Sequence, residues 1–136
     1  MGNQPLVSVV MPVYNAGPFV QRAISSILNQ TYKNIEFIII DDGSTDESVQ
    51  EINSINDDRI VRVFFDEHKG IVDALNLGID MAKGEFIARM DADDECILTR
   101  IEKQVTYLQN NLEIGMCGTQ YMAIGGRRRA LPVTHD

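Results

Sequence analysis

The sequence lacks the segments that insert a protein into a membrane or export it. No apolar run in its 136 residues approaches the roughly 20 residues that a membrane-spanning helix needs. The N-terminal residues Met-Gly-Asn-Gln-Pro contain neither the basic part nor the apolar part of a secretory signal. We therefore expect a cytoplasmic protein.

Cysteine is scarce. Cys96 and Cys117 have no CxxC spacing and no histidine at a ligand offset, so a structural zinc site is not expected. A chain of 136 residues with 44% hydrophobic residues can bury a core without disulfides. We interpret both cysteines as small residues of the core or of the layer near the surface.

Positive charge is also in short supply. The chain has 12 Lys and Arg against 20 Asp and Glu, which gives a formal net charge of −8. Such a surface repels nucleic acid and anionic membranes, so neither is expected as a general partner. A phosphate-containing ligand would need a bound cation to reverse the local sign of this charge.

Strand and helix patterns alternate along the chain. Apolar runs predict strands at residues 6–13, 35–40, 60–65 and 85–90, with one or two more between 114 and 124. Helical spacing predicts helices at 19–28, 44–55, 70–83 and 99–112. Two helix starts have capping-box spacing, Ser44 with Glu47 and Thr99 with Glu102. The alternation predicts an α/β fold, a mostly parallel sheet with helices on both faces.

Aspartates stand directly after two of the predicted strands. Asp41 and Asp42 end the second strand, and Asp91, Asp93 and Asp94 follow the fourth. Ligands of open α/β sheets bind outside the carboxyl ends of the strands, where these side chains would repel one another. Mg²⁺ or Mn²⁺ is the occupant that such oxygens favour, and a cation held by one or two carboxylates keeps positions for phosphate.

A purely structural interpretation remains open for some of these residues. An aspartate after a strand often caps a helix or forms a turn, which would suffice for Asp94. Asp46 lies in the first turn of a predicted helix, where an acid suits the helix dipole. Two acidic clusters at matching strand ends, with Tyr14 nearby, favour a ligand site over this alternative.

Other sites for phosphate or for nucleophilic catalysis lack their motifs. There is no GxxxxGK[ST] loop, and no GxGxxG follows the first strand. No Ser-His-Asp or Cys-His set is evident, and we interpret His68 and His135 as isolated surface residues.

Several motifs together resemble glycosyltransferase family 2, the inverting enzymes with the GT-A fold. They are VSVVMPVYN at 7–15, IIIDDGSTD at 38–46 and MDADD at 90–94, supported by KGIVDALNLGI at 69–79 and KGEFI at 83–87. The motifs occur in order over nearly the whole chain. The resemblance implies a Rossmann-like three-layer GT-A sandwich. It also implies hexosyl transfer from a nucleotide-diphosphate sugar, with a lean towards UDP, in cell-wall or polysaccharide biosynthesis.

The resemblance also implies roles for the residues at the nucleotide end. Pro12, Val13 and Tyr14 would form the floor under the base, with Tyr14 near its ring. Asp42, or alternatively Asp41, would meet the base edge, because a carboxylate can accept a hydrogen bond from a uracil-type N–H.

Further roles follow for the later motifs. Lys69 and Asn76 would line the nucleotide, although Asn76 could equally pack within its helix. Asp91-Ala92-Asp93 matches the DXD motif of the family, in which Asp93 would bind the Mn²⁺ or Mg²⁺ that bridges the diphosphate. Asp91 would approach the ribose or sugar and support the metal, and Asp94 would lie behind them.

An inverting transfer needs a general base, which the family carries after the DXD motif. The acids that follow it here are Glu95, Glu102, Glu113 and Asp136. Glu102 is explained by its capping box and Glu95 lies beside the metal motif, so none is convincing. We expect the base beyond residue 136, and no catalytic residue is assigned.

The expected organisation is one domain over 1–136, with a donor-site core at 6–94 and an incomplete second half at 95–136. We therefore expect the chain to stop before its acceptor half, to bind a nucleotide sugar weakly and to transfer it slowly or not at all. The acceptor would be a carbohydrate or a lipid-linked sugar, with peripheral membrane association of the full-length protein. The alternatives are a non-catalytic nucleotide-sugar-binding module and a receiver-type domain. A receiver would need its acidic pair after the first strand, where Tyr14 and Asn15 stand.

Overall fold

The computed structural model describes residues 4–123. Its elements are β1 Val7–Val13, α1 Gly17–Leu28, β2 Ile35–Asp41, α2 Ser48–Asn53, β3 Ile60–Phe64, α3 Ile71–Met81, β4 Phe86–Arg89 and α4 Arg100–Asn110. The strands form a parallel sheet in the order β3-β2-β1-β4. The predicted alternation of strand and helix is confirmed.

Helices cover both faces of the sheet. On one face, Val9 and Phe37 belong to an apolar cluster that includes residues of α1, α2 and α4. On the other face, Val10 and Ile38 pack with Ala74 of α3. The central strands β1 and β2 are buried on both sides, which explains why their sequences are nearly continuous apolar runs.

The capping box predicted for α2 is wrong. The helix begins at Ser48, and its N-cap residue Glu47 makes no side-chain capping hydrogen bond. The Ser44 hydroxyl instead accepts a hydrogen bond from the backbone N–H of Asn15 at 2.9 Å. The hydroxyl therefore connects two loops, and the helix starts four residues later than its spacing indicates.

The capping box predicted for α4 is wrong as well. Thr99 is the N-cap residue but makes no side-chain capping bond. The Glu102 carboxylate accepts a hydrogen bond from the Thr31 hydroxyl at 3.0 Å, so it joins α4 to the residues after α1.

The strands predicted after α4 are not found between residues 114 and 123. Ile114 closes a turn there, its N–H donating to the carbonyl of Asn111 at 2.9 Å. Within the described chain β4 is an edge strand, and no strand pairs with its outer side. An apolar run becomes a strand only where a neighbour can pair with it. Ile124, His135 and Asp136 lie outside the described residues.

Two smaller predictions concern the helices and the cysteines. None of the helices that the structure describes is long and apolar enough to cross a membrane. Cys96 and Cys117 are both free thiols and half-buried, in agreement with their interpretation as small packing residues.

Candidate functional site

The carboxyl ends of β1, β2 and β4 open into a cleft of about 530 Å³. Among the residues that line it are six of the predicted site residues, Pro12, Val13, Tyr14, Asp42, Asp91 and Asp93. The remaining predicted residues, Asp41, Lys69 and Asn76, are not part of the lining. The parallel sheet therefore brings residues from both acidic clusters to a single space.

The loop that carries Tyr14 is fixed by the loop after β2. Asn15 has a φ of 48°, in the left-handed region that asparagine tolerates better than most residues. Its N–H donates to the Ser44 hydroxyl at 2.9 Å, and its side-chain oxygen accepts from the N–H of Thr45 at 2.8 Å. This reciprocal pair holds the backbone beside Tyr14, whose ring is 47% exposed.

Asp46 joins the beginnings of α1 and α2. Its carboxylate accepts hydrogen bonds from the N–H of Gly17 and from the N–H of Ser48, both at 2.9 Å. Burial raises the pKa of Asp46, but the hydrogen bonds from Ser48 and Gly17 outweigh it, so that the pKa lies below its usual value. Asp46 therefore connects the residues at the start of α1 to those at the start of α2. It also lies close to the start of a helix, as the sequence predicts.

Asp41 lies beneath the cleft. It is 1% exposed, and one carboxylate oxygen accepts a hydrogen bond from the N–H of Ser44 at 2.9 Å. The other oxygen has no hydrogen-bond partner among the residues of the structure's described range. In this position Asp41 supports the loop after β2, and its carboxylate does not reach the surface of the cleft.

Asp42 is also buried, but it faces the loop after β3. One carboxylate oxygen accepts from the N–H of Lys69 at 2.7 Å, and the other from the N–H of Gly70 at 2.9 Å. The second oxygen also lies 2.8 Å from Nδ1 of His68. The side chain is 3% exposed, so its hydrogen-bonding capacity is directed almost entirely towards the protein.

The interpretation of His68 as an isolated surface residue is wrong. Its ring stacks on Tyr14 with centroids 3.9 Å apart and an angle of 23° between planes, and Nδ1 bonds Asp42. Gly43 permits this arrangement, because a Cβ there would lie 2.6 Å from the backbone nitrogen of His68. The position of His68 after β3 could have indicated this role, because β3 ends at the same edge of the sheet as β1 and β2.

The structure does not bring the side chains of Lys69 and Asn76 to the cleft. Lys69 contributes its backbone N–H to Asp42, and its ammonium lies 4.9 Å from the centre of the Phe65 ring. Asn76 is exposed on α3. It lies five residues after Ile71, which lines the cleft, and is therefore about 7.5 Å further along the helix axis.

The acidic loop after β4 forms the opposite side of the cleft. Asp91 is half-buried and accepts two hydrogen bonds from the guanidinium of Arg89, at 3.1 and 3.2 Å. Asp93 is exposed. Partial loss of hydration and the negative charges of Asp93 and Asp91 raise the pKa of Asp94 above its usual value.

By themselves these carboxylates do not form a metal site. Within residues 4–123, no group of three His, Cys, Asp or Glu side chains is arranged to hold a metal ion. Mg²⁺ sites in phosphate-transferring proteins often use only one or two carboxylates and complete their shell with water and phosphate oxygens. Asp93 and Asp91 offer this incomplete oxygen set, and their mutual repulsion with Asp94 would be relieved by a cation.

A buried glutamine that the sequence analysis missed anchors the chain behind the acidic loop. Gln30 is 0% exposed, and its amide donates to the carbonyl of Ile97 at 2.8 Å. Its side-chain oxygen accepts from the N–H of Ile101 at 3.0 Å. The N–H of Thr31 adds a 2.8 Å hydrogen bond to the carbonyl of Leu98. The end of α1 therefore fixes the segment between the acidic loop and α4.

The acids considered as a general base do not line the cleft. Glu95 forms an ion pair with Arg22 at 3.8 Å, and Glu102 bonds Thr31. Glu113 is exposed beyond α4. In the described chain, the carboxylates of the cleft lining are those of Asp42, Asp91 and Asp93. The expectation of a base beyond residue 136 stays a prediction.

A parallel Rossmann-like sheet with an acidic cleft at its carboxyl edge is the arrangement that the GT-A fold predicts. The model of the family "Glycosyl transferase family 2" matches residues 8–135, and this chain belongs to that family.

Named relatives agree with this assignment. An uncharacterized glycosyltransferase of Haemophilus influenzae is 47% identical over 113 residues, which are 81% of this chain and 45% of that protein. The UDP-Glc:alpha-D-GlcNAc-diphosphoundecaprenol beta-1,3-glucosyltransferase WfaP of Escherichia coli is 40% identical over 104 residues, which are 76% of this chain and 41% of that protein. The chain thus spans less than half the length of these relatives.

Solved structures confirm the GT-A fold. The mannosyltransferase PcManGT of Pyrobaculum calidifontis, in complex with GDP-Man and Mn²⁺, has a TM-score of 0.72 at 26% identity. The match covers 78% of this chain and 33% of that one. S. aureus TarS 1-349 in complex with UDP-GlcNAc has a TM-score of 0.73 at 22% identity, over 78% of this chain and 32% of that one, and supports the fold alone.

Proposed function

We propose that this chain is the donor-binding part of an inverting, metal-dependent glycosyltransferase that takes a hexosyl group from a UDP-linked sugar. The proposal rests on one observation, the cleft that Tyr14 and Asp42 share with Asp91 and Asp93. Its volume of about 530 Å³ lies within the range of small-molecule sites, and its two sides differ in chemistry.

The Tyr14 side of the cleft suits the nucleotide base. An exposed aromatic ring stacks on any base because every base has a π-face. Pro12 and Val13 extend this apolar surface along the end of β1. The hydrogen bonds between Asn15 and the loop after β2 hold the backbone beside Tyr14 in place before the ligand arrives, which lowers the entropy cost of binding.

The Asp91 side of the cleft suits the diphosphate with its cation. A bound Mn²⁺ or Mg²⁺ would stabilise the negative charge that develops on the leaving diphosphate. Asp93 is exposed and is the carboxylate best placed to hold the cation. Asp91 is tied to Arg89 and would contribute a second oxygen or contact the sugar.

The related proteins support a nucleotide-sugar donor. The complex of the Pyrobaculum mannosyltransferase contains GDP-Man and Mn²⁺, and the name of the Escherichia coli relative specifies UDP-Glc and a diphosphoundecaprenol-linked acceptor. By analogy with these proteins, we propose that this chain uses a nucleotide-sugar donor, a divalent metal and a carbohydrate or lipid-linked acceptor. The cytoplasmic location, the association with a membrane surface and a role in polysaccharide biosynthesis stay predictions.

Calorimetric titration of UDP and GDP, with and without Mn²⁺, tests the donor site. We expect UDP to bind in the presence of Mn²⁺ and to bind at least tenfold more weakly without it. Asp93→Ala should remove this metal dependence, whereas the control Asp80→Ala removes the same charge from the far end of α3 and should retain it. Unchanged Mn²⁺ dependence in Asp93→Ala, or binding indifferent to the metal in the unmodified protein, would refute the proposal.

A non-catalytic nucleotide-sugar-binding module is the second candidate. It is favoured by the absence of a free carboxylate opposite Asp93 in the described part of the cleft. Release of UDP from UDP-glucose, with and without a lipid-linked sugar acceptor, distinguishes the two functions. Acceptor-dependent release supports the transferase, and Mn²⁺-dependent binding without any release supports the module.

A further inference from the structure

The cleft needs positive charge of its own to hold a diphosphate. Its lining carries the carboxylates of Asp42, Asp91 and Asp93, in a chain whose net charge is already −8. A divalent cation balances the charge of the diphosphate, but the carboxylates still give the cleft an excess of negative charge. A cationic side chain beside the diphosphate would reduce this repulsion.

The lysine that the sequence predicts beside the nucleotide does not supply this charge. Lys69 is not part of the lining, and its ammonium lies 4.9 Å from the centre of the Phe65 ring. Among the described residues that line the cleft, Arg89 is the only lysine or arginine. The permanent positive charge available at this place is therefore the guanidinium of Arg89.

Arg89 is held in a defined direction at the end of β4. The guanidinium of Arg100 donates to the carbonyl of Arg89 at 2.8 Å, and the N–H of Met90 donates to the carbonyl of Val10 at 3.0 Å. Nε and Nη2 of Arg89 both donate to the same oxygen of Asp91, Oδ1, at 3.2 and 3.1 Å. The backbone of Arg89 is thus fixed, and Asp91 orients its guanidinium.

The guanidinium of Arg89 keeps donors for a ligand. Two of its five N–H groups bond Asp91, and within residues 4–123 the others have no partner. The bonds to Asp91 are longer than the roughly 2.7–2.9 Å that is usual between charged donors and carboxylates. The two side chains are 57% and 45% exposed, so this ion pair contributes little and the guanidinium can adjust towards a phosphate.

We propose that Arg89 binds the diphosphate of the donor and that Asp91 is the residue that orients it. A planar guanidinium presents parallel N–H groups that match two phosphate oxygens, which a point charge does not. Oδ1 of Asp91 accepts from Arg89, and Oδ2, which bonds no residue within 4–123, stays available for the cation or the sugar. This inference rests on the proposed function, because it assigns a phosphate-binding residue to the same donor site.

Calorimetry with saturating Mn²⁺ compares UDP with uridine, which has the base and the ribose but no phosphate. Arg89→Gln should weaken UDP by about tenfold, the effect of one hydrogen bond between charged groups in a partly exposed site. The affinity of uridine, measured by its displacement of UDP, should change by less than about twofold, because uridine lacks the groups that Arg89 binds. Circular dichroism and thermal unfolding check that each variant is folded.

Arg22→Gln is the matched control. It removes the same charge from an exposed ion pair, with Glu95, and Arg22 is not part of the cleft lining. UDP should bind this variant within about twofold of the unmodified protein, since solvent and salt screen a charge outside the cleft.

A double substitution distinguishes a direct contact from an effect through Asp91. Asp91→Asn keeps an oxygen at this position that the guanidinium can still bond. If Arg89 contacts the diphosphate, Arg89→Gln should weaken UDP by about tenfold in the Asp91→Asn background as well.

Four results would overturn the inference while the proposed function stands. They are unchanged UDP affinity in Arg89→Gln, an equal loss of uridine and UDP in that variant, an equal loss of UDP in Arg22→Gln, and no further loss when Arg89→Gln is added to Asp91→Asn. Absence of Mn²⁺-dependent binding of UDP to the unmodified protein would remove the proposed function as well.

Discussion

Replacing Gln30 by methionine should destabilise the protein more than any change on its surface. Gln30 is 0% exposed, and methionine has a similar volume, so the change removes hydrogen bonds and leaves little cavity. It leaves the N–H of Ile101 without its acceptor and the carbonyl of Ser26 without its 2.9 Å donor, whereas the carbonyl of Ile97 keeps the N–H of Arg100 at 3.1 Å. The N–H of Ile101 lies in the first turn of α4, where the helix itself supplies no acceptor.

The size of the effect follows from these two groups. Each buried polar group that loses its partner costs about 1 to 3 kcal/mol, so we expect Gln30→Met to lower the free energy of unfolding by about 3 kcal/mol. For a domain of this size that loss corresponds to a decrease in Tm of about 10 °C. Because Gln30 fixes the chain behind Asp93, the Mn²⁺-dependent affinity for UDP should fall as well.

Urea unfolding followed by circular dichroism measures the change directly. The control is Gln109→Met, the same substitution at an exposed position of α4, which should change the free energy of unfolding by less than about 0.5 kcal/mol. A loss below about 1 kcal/mol in Gln30→Met, or a loss equal to that of the control, would refute the reasoning from unpaired groups.

Three further changes test the loops and the charges. Asp46→Ala should lower stability by about 2 kcal/mol at pH 7, since two N–H groups lose a charged acceptor. The pKa of Asp46 is lowered, so the difference from the unmodified protein should shrink as the pH falls through that pKa in acid urea titrations. Asp57 has a pKa of about 2 because Arg59 donates hydrogen bonds to its carboxylate. Asp57→Asn should lower the free energy of unfolding by about 2 kcal/mol above pH 4, and this difference should shrink as the pH falls from 4 through 2 and vanish near pH 1. Gly43→Ala should lower the free energy of unfolding by about 2 kcal/mol and weaken the binding of UDP, because φ is 72° and a Cβ would strike the backbone of His68. The control Gly118→Ala places its Cβ in open space and should be neutral.

The sheet could be predicted from the sequence because burial on two faces leaves a strong local signal. The runs at 6–13 and 35–40 are apolar at nearly every position, and the observed strands β1 and β2 differ from them by one residue. Turn residues and aspartates mark where these strands stop. The same logic located the cleft, since parallel strands end at a common edge.

The missed features depend on contacts that sequence spacing does not reveal. The hydrogen bond between Gln30 and Ile101 joins residues 71 positions apart, and Asp42 meets His68 across 26. Capping boxes were predicted from local spacing, but Ser44 found a tertiary partner in Asn15. A side chain near a helix start has several acceptors or donors within reach once the fold is formed, and packing decides among them.

The aspartates of the cleft differ in how much of their charge is still available to a ligand. Backbone N–H groups and His68 occupy the oxygens of Asp42, which is 3% exposed. Asp91 is 45% exposed, and Asp93 is exposed beside it. A cation binds most favourably where carboxylates lack other hydrogen-bond partners, so it should bind at the Asp91 side and attract the diphosphate there. The base then occupies the Tyr14 side. The orientation of the donor that we propose follows from this difference between the hydrogen-bonded carboxylate of Asp42 and the more available carboxylates of Asp91 and Asp93.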